Sequence, residues 1–234
     1  MIATFAIEVS LAFYVLWKHR ASLMGKLAAA TLLLLGTFQL AEWMVCQGAL
    51  GLDSIAWAKI GFVAISFLPP LGLHIASVIA GKKDSKIPIA GYAAAGLFSS
   101  YFLAATSSIS GSVCGGNYVI FNLAPHVGGL FGIYYYLTLF IGIAVSYFWA
   151  QNANKHAASA LRWLIVGYTA FIAPTAAVNL ISPSTAAGIP SIMCGFAVIF
   201  ALILALRVLP KYEASLATDK VVAKSSADSA QTSR

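Results

Sequence analysis

Two carboxylates lie inside long apolar stretches of this sequence, Glu8 in the first stretch and Glu42 in the second. In helical geometry Glu8 lies about 9 Å from the start of its stretch and Glu42 about 8 Å from the end of its own, so antiparallel neighbours bring them to one depth. Ionisable groups are costly in lipid and are therefore the first candidates for function. We expect Lys59, at the start of the third stretch, to form a buried ion pair with Glu42. The alternative is that one carboxyl stays protonated or binds a ligand cation, because two neighbouring carboxylates do not readily both ionise in a low dielectric.

Polar side chains share one face of the second stretch. Gln39, Glu42 and Cys46 follow the spacing i, i+3, i+7, which places them on one side of a helix. Asn179, in the sixth stretch, falls at a comparable depth. Hydrogen bonding between helices would account for Asn179, and contact with a ligand is the alternative.

His74 follows two consecutive prolines, Pro69 and Pro70, in the third stretch. The prolines remove two backbone donors and predict a bend in the helix at that point. A histidine beyond a bend could relay a proton or a conformational change, although a lone histidine is more often hydrogen-bonded between helices.

Aromatic residues accumulate at middle and outer depths, in the run Tyr134-Tyr135-Tyr136 and at Tyr101 and Trp43. Packing and an interfacial belt explain most such rings. If a cavity opens between the helices, the same rings beside a few polar groups would suit a small organic or apolar ligand.

Two of the three cysteines, Cys46 and Cys114, fall on the same predicted side of the membrane. A disulfide between them is possible outside the cytoplasm, but the sequence leaves open whether their Cα atoms approach closely enough. Cys114 belongs to the loop 107–127, whose glycines predict a short hairpin or an interfacial flap that acts either as a lid or as a connector. Cys194 is expected to be a small packing residue.

The elements that must position these residues follow from the composition. Hydrophobic residues make up 60% of the 234 and charged residues only 9%, which is too little charge for a soluble domain. Apolar stretches long enough to cross the hydrocarbon core of a bilayer occur seven times. The sequence predicts an all-α, polytopic membrane protein whose residues 1–210 form one seven-transmembrane helix bundle, with spans at about 2–17, 27–47, 57–80, 87–106, 129–149, 160–181 and 188–209.

The basic residues predict the orientation of the bundle, N-terminus out and C-terminus in. With this orientation every Lys and Arg except Lys59 falls in a cytoplasmic segment, as the positive-inside rule requires. Because basic residues follow the first span and none precedes it, we interpret it as a retained helix rather than a removable signal peptide. Residues 211–234 are rich in Ser, Ala, Thr and Lys and predict a disordered cytoplasmic tail. The expected location is the cell membrane, most simply a bacterial inner membrane.

Several classes of function lack the residues that they need. Span seven contains no Lys for a retinal Schiff base, and no HExxH, CxxC or Walker-type motif occurs. The four histidines lie at different levels, which argues against a metal or haem site. The net charge of +7 is spread over short loops at the membrane boundary, so nucleic acid is not the expected partner. We expect neither a cofactor nor catalysis.

Span two carries Phe-Gln-Leu-Ala-Glu-Trp at residues 38–43, and span three carries Gly61 followed by Leu-Pro-Pro at residues 68–70. These features resemble the seven-helix N-terminal membrane sensor regions of bacterial histidine kinases, and small, uncharacterised bacterial seven-helix membrane proteins look similar too. The resemblance implies an N-out sensory bundle that is normally joined to a cytoplasmic output domain. Since only a short tail follows span seven here, signalling would need a partner protein.

The combined features predict a non-enzymatic, sensor- or receptor-like bundle in the lipid bilayer. We expect it to bind a small organic ligand in its outer half, around Gln39, Glu42, Lys59 and Asn179, and to signal through a cytoplasmic partner. A small-solute or ion transporter is the alternative, and it predicts flux across liposomes and a polar path that continues past His74. A membrane-embedded enzyme comes third, because no constellation of residues supports it.

Overall fold

The computed structural model describes residues 1–20, 22–48, 50–82 and 85–218. Its regular elements are helices and one two-stranded hairpin. They are α1 (Ile2–His19), α2 (Leu23–Gln47), α3 (Ser54–Ser66), α4 (Leu68–Ile79), α5 (Ile87–Ala104), β1 (Ile109–Cys114), β2 (Val119–Leu123), α6 (Pro125–Gln151), α7 (Lys155–Ile181), a 3-10 helix (Pro183–Gly188) and α8 (Ile189–Ile203), which continues through a π-helical turn (Leu204–Val208).

Within the described residues, seven helical segments are long and apolar enough to cross a membrane. They correspond one to one with the predicted spans; the ends of the first six differ by at most five residues, and the seventh, Pro183–Thr218, extends nine residues beyond the predicted end. The third segment, Ser54–Ile79, combines α3 and α4. The all-α fold class is therefore confirmed at the level of helix number, length and composition.

The helix break between α3 and α4 follows from the double proline. Pro70 has no N–H to donate to the carbonyl of Ser66, four residues earlier. The hydroxyl of Tyr134 on α6 donates to this carbonyl at 2.7 Å instead. The predicted bend is thus a break whose freed acceptor is satisfied by a neighbouring helix.

Small residues let the helices approach one another closely. A Cβ atom at Gly36 of α2 would lie 3.1 Å from a methyl group of Val9 on α1, and one at Gly61 of α3 would lie 3.1 Å from the ring of Phe38 on α2. Helix α2 contacts α1, α3, α4 and α8. Its inward face is therefore the centre of the bundle, and Gln39 and Glu42 lie on that face.

The two ends of the bundle differ. The hairpin end contains residues 50–53, the segment 105–124 and the 3-10 helix, whereas the basic end contains residues 19, 20, 22, 80–82 and 152–154. At the basic end, His19 contacts Glu213, and residues 211–218 are helical, with Ser215 buried. The helix thus extends eight residues into the segment predicted to be a disordered tail, because this segment packs on the α1–α2 turn. Residues 219–234 of that prediction lie outside the described residues.

Candidate ligand cavity and buried carboxyl cluster

A cavity of about 290 Å³ lies at the hairpin end of the bundle. Five elements line it, and they are α3, β2, α6, the 3-10 helix and α8. The lining side chains are almost all apolar or aromatic: Phe62, Ile65, Phe121, Leu123, Gly128, Phe131, Gly132, Tyr135, Tyr136, Ala186, Ala187, Ile189, Pro190, Met193 and Cys194.

The α6 wall of the cavity arises from a simple sequence pattern. Residues 128, 131, 132, 135 and 136 follow the spacing i, i+3, i+4, i+7, i+8, which is one face of a helix. Two of the five are glycines on the same face as the aromatic rings, and a Cβ atom at Gly132 would meet no atom within 4 Å. The glycines leave the volume of the cavity open, and the aromatic rings line it.

Edge-to-face ring packing makes that wall rigid. The ring of Phe62 lies 5.2 Å from that of Phe121 and 5.7 Å from that of Phe131, with interplanar angles of 87° and 64°. Phe38 on α2 packs behind Phe121 at 6.2 Å. Such pairs stabilise a fixed arrangement beyond their burial alone, so the cavity is a preformed space rather than a loosely packed region.

The hairpin covers the cavity and is anchored in three ways. Cys46 at the end of α2 forms a disulfide with Cys114 of β1, with a Cα–Cα distance of 5.9 Å. The backbone N–H of Val119 donates to the hydroxyl of Ser191 on α8 at 2.9 Å. The ring of Tyr118 packs on Gly188, where a Cβ atom would lie 3.0 Å from it. The loop 107–127 therefore forms a short hairpin that covers the cavity.

Three of the predicted site residues are buried beside the cavity, where α1 packs on α2. Glu8 on α1 and Gln39 and Glu42 on α2 have side chains that are at most 1% exposed. Thr4, one turn before Glu8, lies 2.8 Å from the Gln39 amide, and a Cβ atom at Gly36 of α2 would lie 3.9 Å from the Cβ atom of Glu8. We call Glu8, Gln39 and Glu42 the carboxyl cluster.

The carboxyl cluster has almost no internal hydrogen bonding. The Glu8 carboxyl and one atom of the Gln39 amide have no hydrogen-bond partner among the described residues. The Ser191 hydroxyl lies beside the Glu42 carboxyl, and Cys194 is a buried neighbour of the cluster. Because Cys194 also lines the cavity, it stands between the cavity and the cluster.

The expected Glu42–Lys59 ion pair is wrong. The Lys59 ammonium donates to the carbonyls of Leu103 and Ala105, at 3.3 and 3.1 Å. Carbonyls at a helix C-terminus have no partner within the helix and attract a cation. Lys59 therefore satisfies the end of α5, while Glu42 faces the interior of the bundle.

The structure also separates Asn179 and His74 from the carboxyl cluster. The hydroxyl of Thr185 lies 3.5 Å from the amide oxygen of Asn179, which places Asn179 beside the 3-10 helix. His74 is half-buried and shares a hydrogen bond of 3.2 Å with the hydroxyl of Tyr92 on α5. His74 thus has the interhelical hydrogen bond that was its simpler expectation, whereas the contact given for Asn179 is local.

The cavity residues themselves were largely missed at the level of sequence. Tyr135 and Tyr136 were noted as aromatic surface, but Phe62, Phe121 and Phe131 were not singled out, and Cys194 was assigned to packing alone. The alternation of glycine and aromatic residues on one face of α6 is the signal that could have found the cavity.

No protein-family model, curated protein or solved structure matches this chain. The likeness of spans two and three to histidine kinase sensor regions stays a prediction.

Proposed function

We propose that this chain is a non-enzymatic, multi-pass membrane receptor that binds a small, largely apolar ligand in the hairpin-end cavity. In the proposed orientation the hairpin end faces the outside of the cell membrane, and the basic end faces the cytoplasm. The observation that carries the proposal is the cavity of about 290 Å³ with its aromatic walls and hairpin cover.

The size and chemistry of the cavity define the class of ligand. Binding sites for small molecules have volumes from roughly 300 Å³ upwards and mostly apolar walls with few polar groups. The polar groups on this lining are few, among them the tyrosine hydroxyls and the thiol of Cys194. A ligand of one or two rings with few polar atoms fits this description better than a sugar or an amino acid.

Helix α8 offers a route from the cavity to the cytoplasm. Met193 and Cys194 line the cavity, and the same helix continues through the π-helical turn to Glu213, which contacts His19. π-Helical turns are common at functional sites, and small helix shifts at packed interfaces can switch between discrete arrangements. In our proposal, ligand binding shifts α8 and thereby changes the surface that a cytoplasmic partner recognises.

Filling the cavity tests the proposal directly. In Gly132→Leu the new side chain enters the cavity without a backbone clash, because a Cβ atom there meets nothing within 4 Å. The matched control is Gly129→Leu, since Gly129 lies on the same helix, is exposed and does not line the cavity. Both changes replace a helical glycine and gain a similar helix propensity of up to about 1 kcal/mol.

We expect benzene, indole or naphthalene to raise the thermal unfolding temperature of the wild type and of Gly129→Leu in lipid nanodiscs, but not that of Gly132→Leu. An equal response of both variants would mean that the probes partition into lipid and that the cavity is not a binding site. No response from any of the three proteins would reject an aromatic ligand of this size.

A transporter is the second candidate, and the buried carboxyl cluster is the observation that favours it. Buried ionisable groups in membrane proteins often bind coupling ions or protons. A receptor binds its ligand without moving it, whereas a transporter produces flux in sealed liposomes. Uptake of a ligand found in the thermal screen would therefore favour the transporter over the receptor.

A further inference from the structure

The carboxyl cluster contains buried acceptors without donors. The four carboxyl oxygens of Glu8 and Glu42 are buried. No described residue donates to the Glu8 carboxyl, and the Ser191 hydroxyl beside the Glu42 carboxyl is a neutral donor that cannot balance a charge. Burial of an ionised carboxylate without compensation is prohibitively costly, and burial of a pair costs more. Some positive charge must therefore accompany these groups in the folded protein.

The hydrogen bonds of Thr4 add a fifth acceptor to the cluster. The single hydroxyl hydrogen of Thr4 serves the carbonyl of Met1, at 2.6 Å, and cannot also be donated to the Gln39 amide at 2.8 Å. The Gln39 atom beside Thr4 is thus best assigned as the NH₂ group, which donates to the Thr4 hydroxyl. The amide oxygen of Gln39 then becomes the buried atom without a partner, as another acceptor.

The described side chains supply no cation to this site. Lys59 is bound to the carbonyl groups at the end of α5, and the ion pair found among the described residues, His19–Glu213, lies at the basic end. Among the described residues, the amino group of Met1 forms neither an ion pair nor a hydrogen bond with either carboxyl. The other titratable neighbour is the thiol of Cys194, which cannot supply a positive charge.

The number of oxygen atoms limits which cation fits. Two carboxyls and one amide are fewer ligand groups than the six to eight oxygens that Ca²⁺ takes. No group of three or more His, Cys, Asp and Glu side chains arranged to hold a metal ion occurs among the described residues, which disfavours Zn²⁺ and similar ions. A small monovalent cation needs neither six to eight oxygen ligands nor a group of three such side chains.

We propose that Glu8, Glu42 and Gln39 form a binding site for one small monovalent cation, either H⁺ or Na⁺. The site lies beside the ligand cavity, because Cys194 borders both and Ser191 connects Glu42 with the hairpin. This cation site is separate from the ligand cavity. The proposal does not depend on whether the cavity binds an apolar ligand.

Thermal unfolding of the full chain in nanodiscs separates the two cations. In the first arm, NaCl replaces N-methylglucamine chloride at constant ionic strength and pH 8. In the second arm, the pH falls from 8 to 5 without Na⁺. Since a cation that binds only the folded state stabilises it, we expect one arm to raise the unfolding temperature by at least about 3 °C. For protons the sign is the same, because the folded state would hold a proton that unfolded carboxyls release above about pH 4.3.

The variant Glu8→Gln/Glu42→Gln removes both charges with little change in shape, and it should lose the response. Asp53→Asn is the matched control, because Asp53 is an exposed carboxylate that caps α3 at the same end of the bundle, and it should keep the response. The His19–Glu213 pair at the basic end of the bundle is unchanged in every variant, so its contribution cancels in the comparison.

A response to Na⁺ that is lost in the double variant assigns the site to Na⁺. A response to pH alone that is lost in the same way assigns it to H⁺. If the double variant does not fold, infrared spectroscopy of the wild type still tests for a proton site. Such a site gives the band of a buried protonated carboxyl, and Glu42→Gln should diminish this band. If the wild type responds to neither cation and shows no such band, or if the double variant folds and responds as the wild type does, the proposal is wrong.

Discussion

The side chain of Lys59 illustrates how a single residue in a membrane bundle is used. Its ammonium group binds the carbonyls of Leu103 and Ala105, where α5 ends and the segment towards the hairpin begins. Backbone carbonyls without partners are costly in an apolar environment. Lys59 therefore stabilises the entry to the hairpin and has no direct role at the carboxyl cluster.

This assignment predicts that Lys59 and Glu42 act independently on stability. Lys59→Met should lower the free energy of unfolding by about 1 kcal/mol, because two hydrogen bonds from a half-buried ammonium group are lost. In a double-mutant cycle with Glu42→Gln, the two effects should add to within about 0.5 kcal/mol. The coupling energy is measured by chemical unfolding in detergent. A value of 1 kcal/mol or more would show that Lys59 and Glu42 form an ion pair after all.

Sequence reasoning found the inward face of α2 that carries Gln39 and Glu42 because a helical face can be counted along a chain. Glu8 and Glu42 are not level with each other as expected, because Glu8 packs against Gly36, six residues before Glu42. Sequence reasoning failed for Lys59 because a charge was matched only with other charges, and open backbone carbonyls cannot be seen in a sequence. Asn179 failed for a related reason: equal depth in the bundle does not make two residues neighbours. Only the order of the helices around the bundle decides that.

At the scale of elements, the hairpin β1–β2 is the cover of the candidate site. Its strand β2 contributes Phe121 and Leu123 to the cavity wall, and the disulfide joins its other strand to α2 across 68 residues. A chain-entropy treatment assigns a crosslink over a loop of this length about 4 kcal/mol. Most of the stability of the cover should therefore depend on this bond.

The variant Cys46→Ser/Cys114→Ser should loosen the hairpin and leave the helices intact. We expect the backbone amides of residues 109–123 to exchange hydrogen at least about tenfold faster, measured by mass spectrometry, while amides in the middle of α6 keep their protection. Cys194→Ser is the control, because it removes the third cysteine and leaves the crosslink in place. Unchanged exchange in the hairpin would show that the contacts of Val119 and Tyr118 hold it without the disulfide.

Elements were predictable from the sequence to the extent that they depend on local chemistry. Pro69 and Pro70 predicted the interruption of span three, and the glycines of the loop 107–127 predicted a turn. The satisfaction of the Ser66 carbonyl by Tyr134 was not predictable, because it depends on where α6 packs. The extension of α8 to residue 218 was missed for the same reason, since polar composition suggested disorder and contact with the α1–α2 turn was not visible.

For the whole molecule, the orientation in the membrane determines what the candidate sites can do. The disulfide, the cavity and the carboxyl cluster lie towards the hairpin end, and the basic side chains lie mainly at the opposite end. Disulfides persist in oxidising compartments and are rare in the cytoplasm. The crosslink and the positive-inside rule therefore predict the same orientation independently.

Single cysteine substitutions test this orientation. Ser184 in the 3-10 helix and Asn152 between α6 and α7 are exposed at opposite ends of the bundle, and the remaining native cysteine, Cys194, is buried. A membrane-impermeant maleimide should label Ser184→Cys in intact spheroplasts and Asn152→Cys only after permeabilisation. The reverse pattern would place the cavity on the cytoplasmic side and the disulfide in a reducing compartment. A receptor for external ligands would then be untenable, whereas the cation site, which depends only on local geometry, would remain open to test.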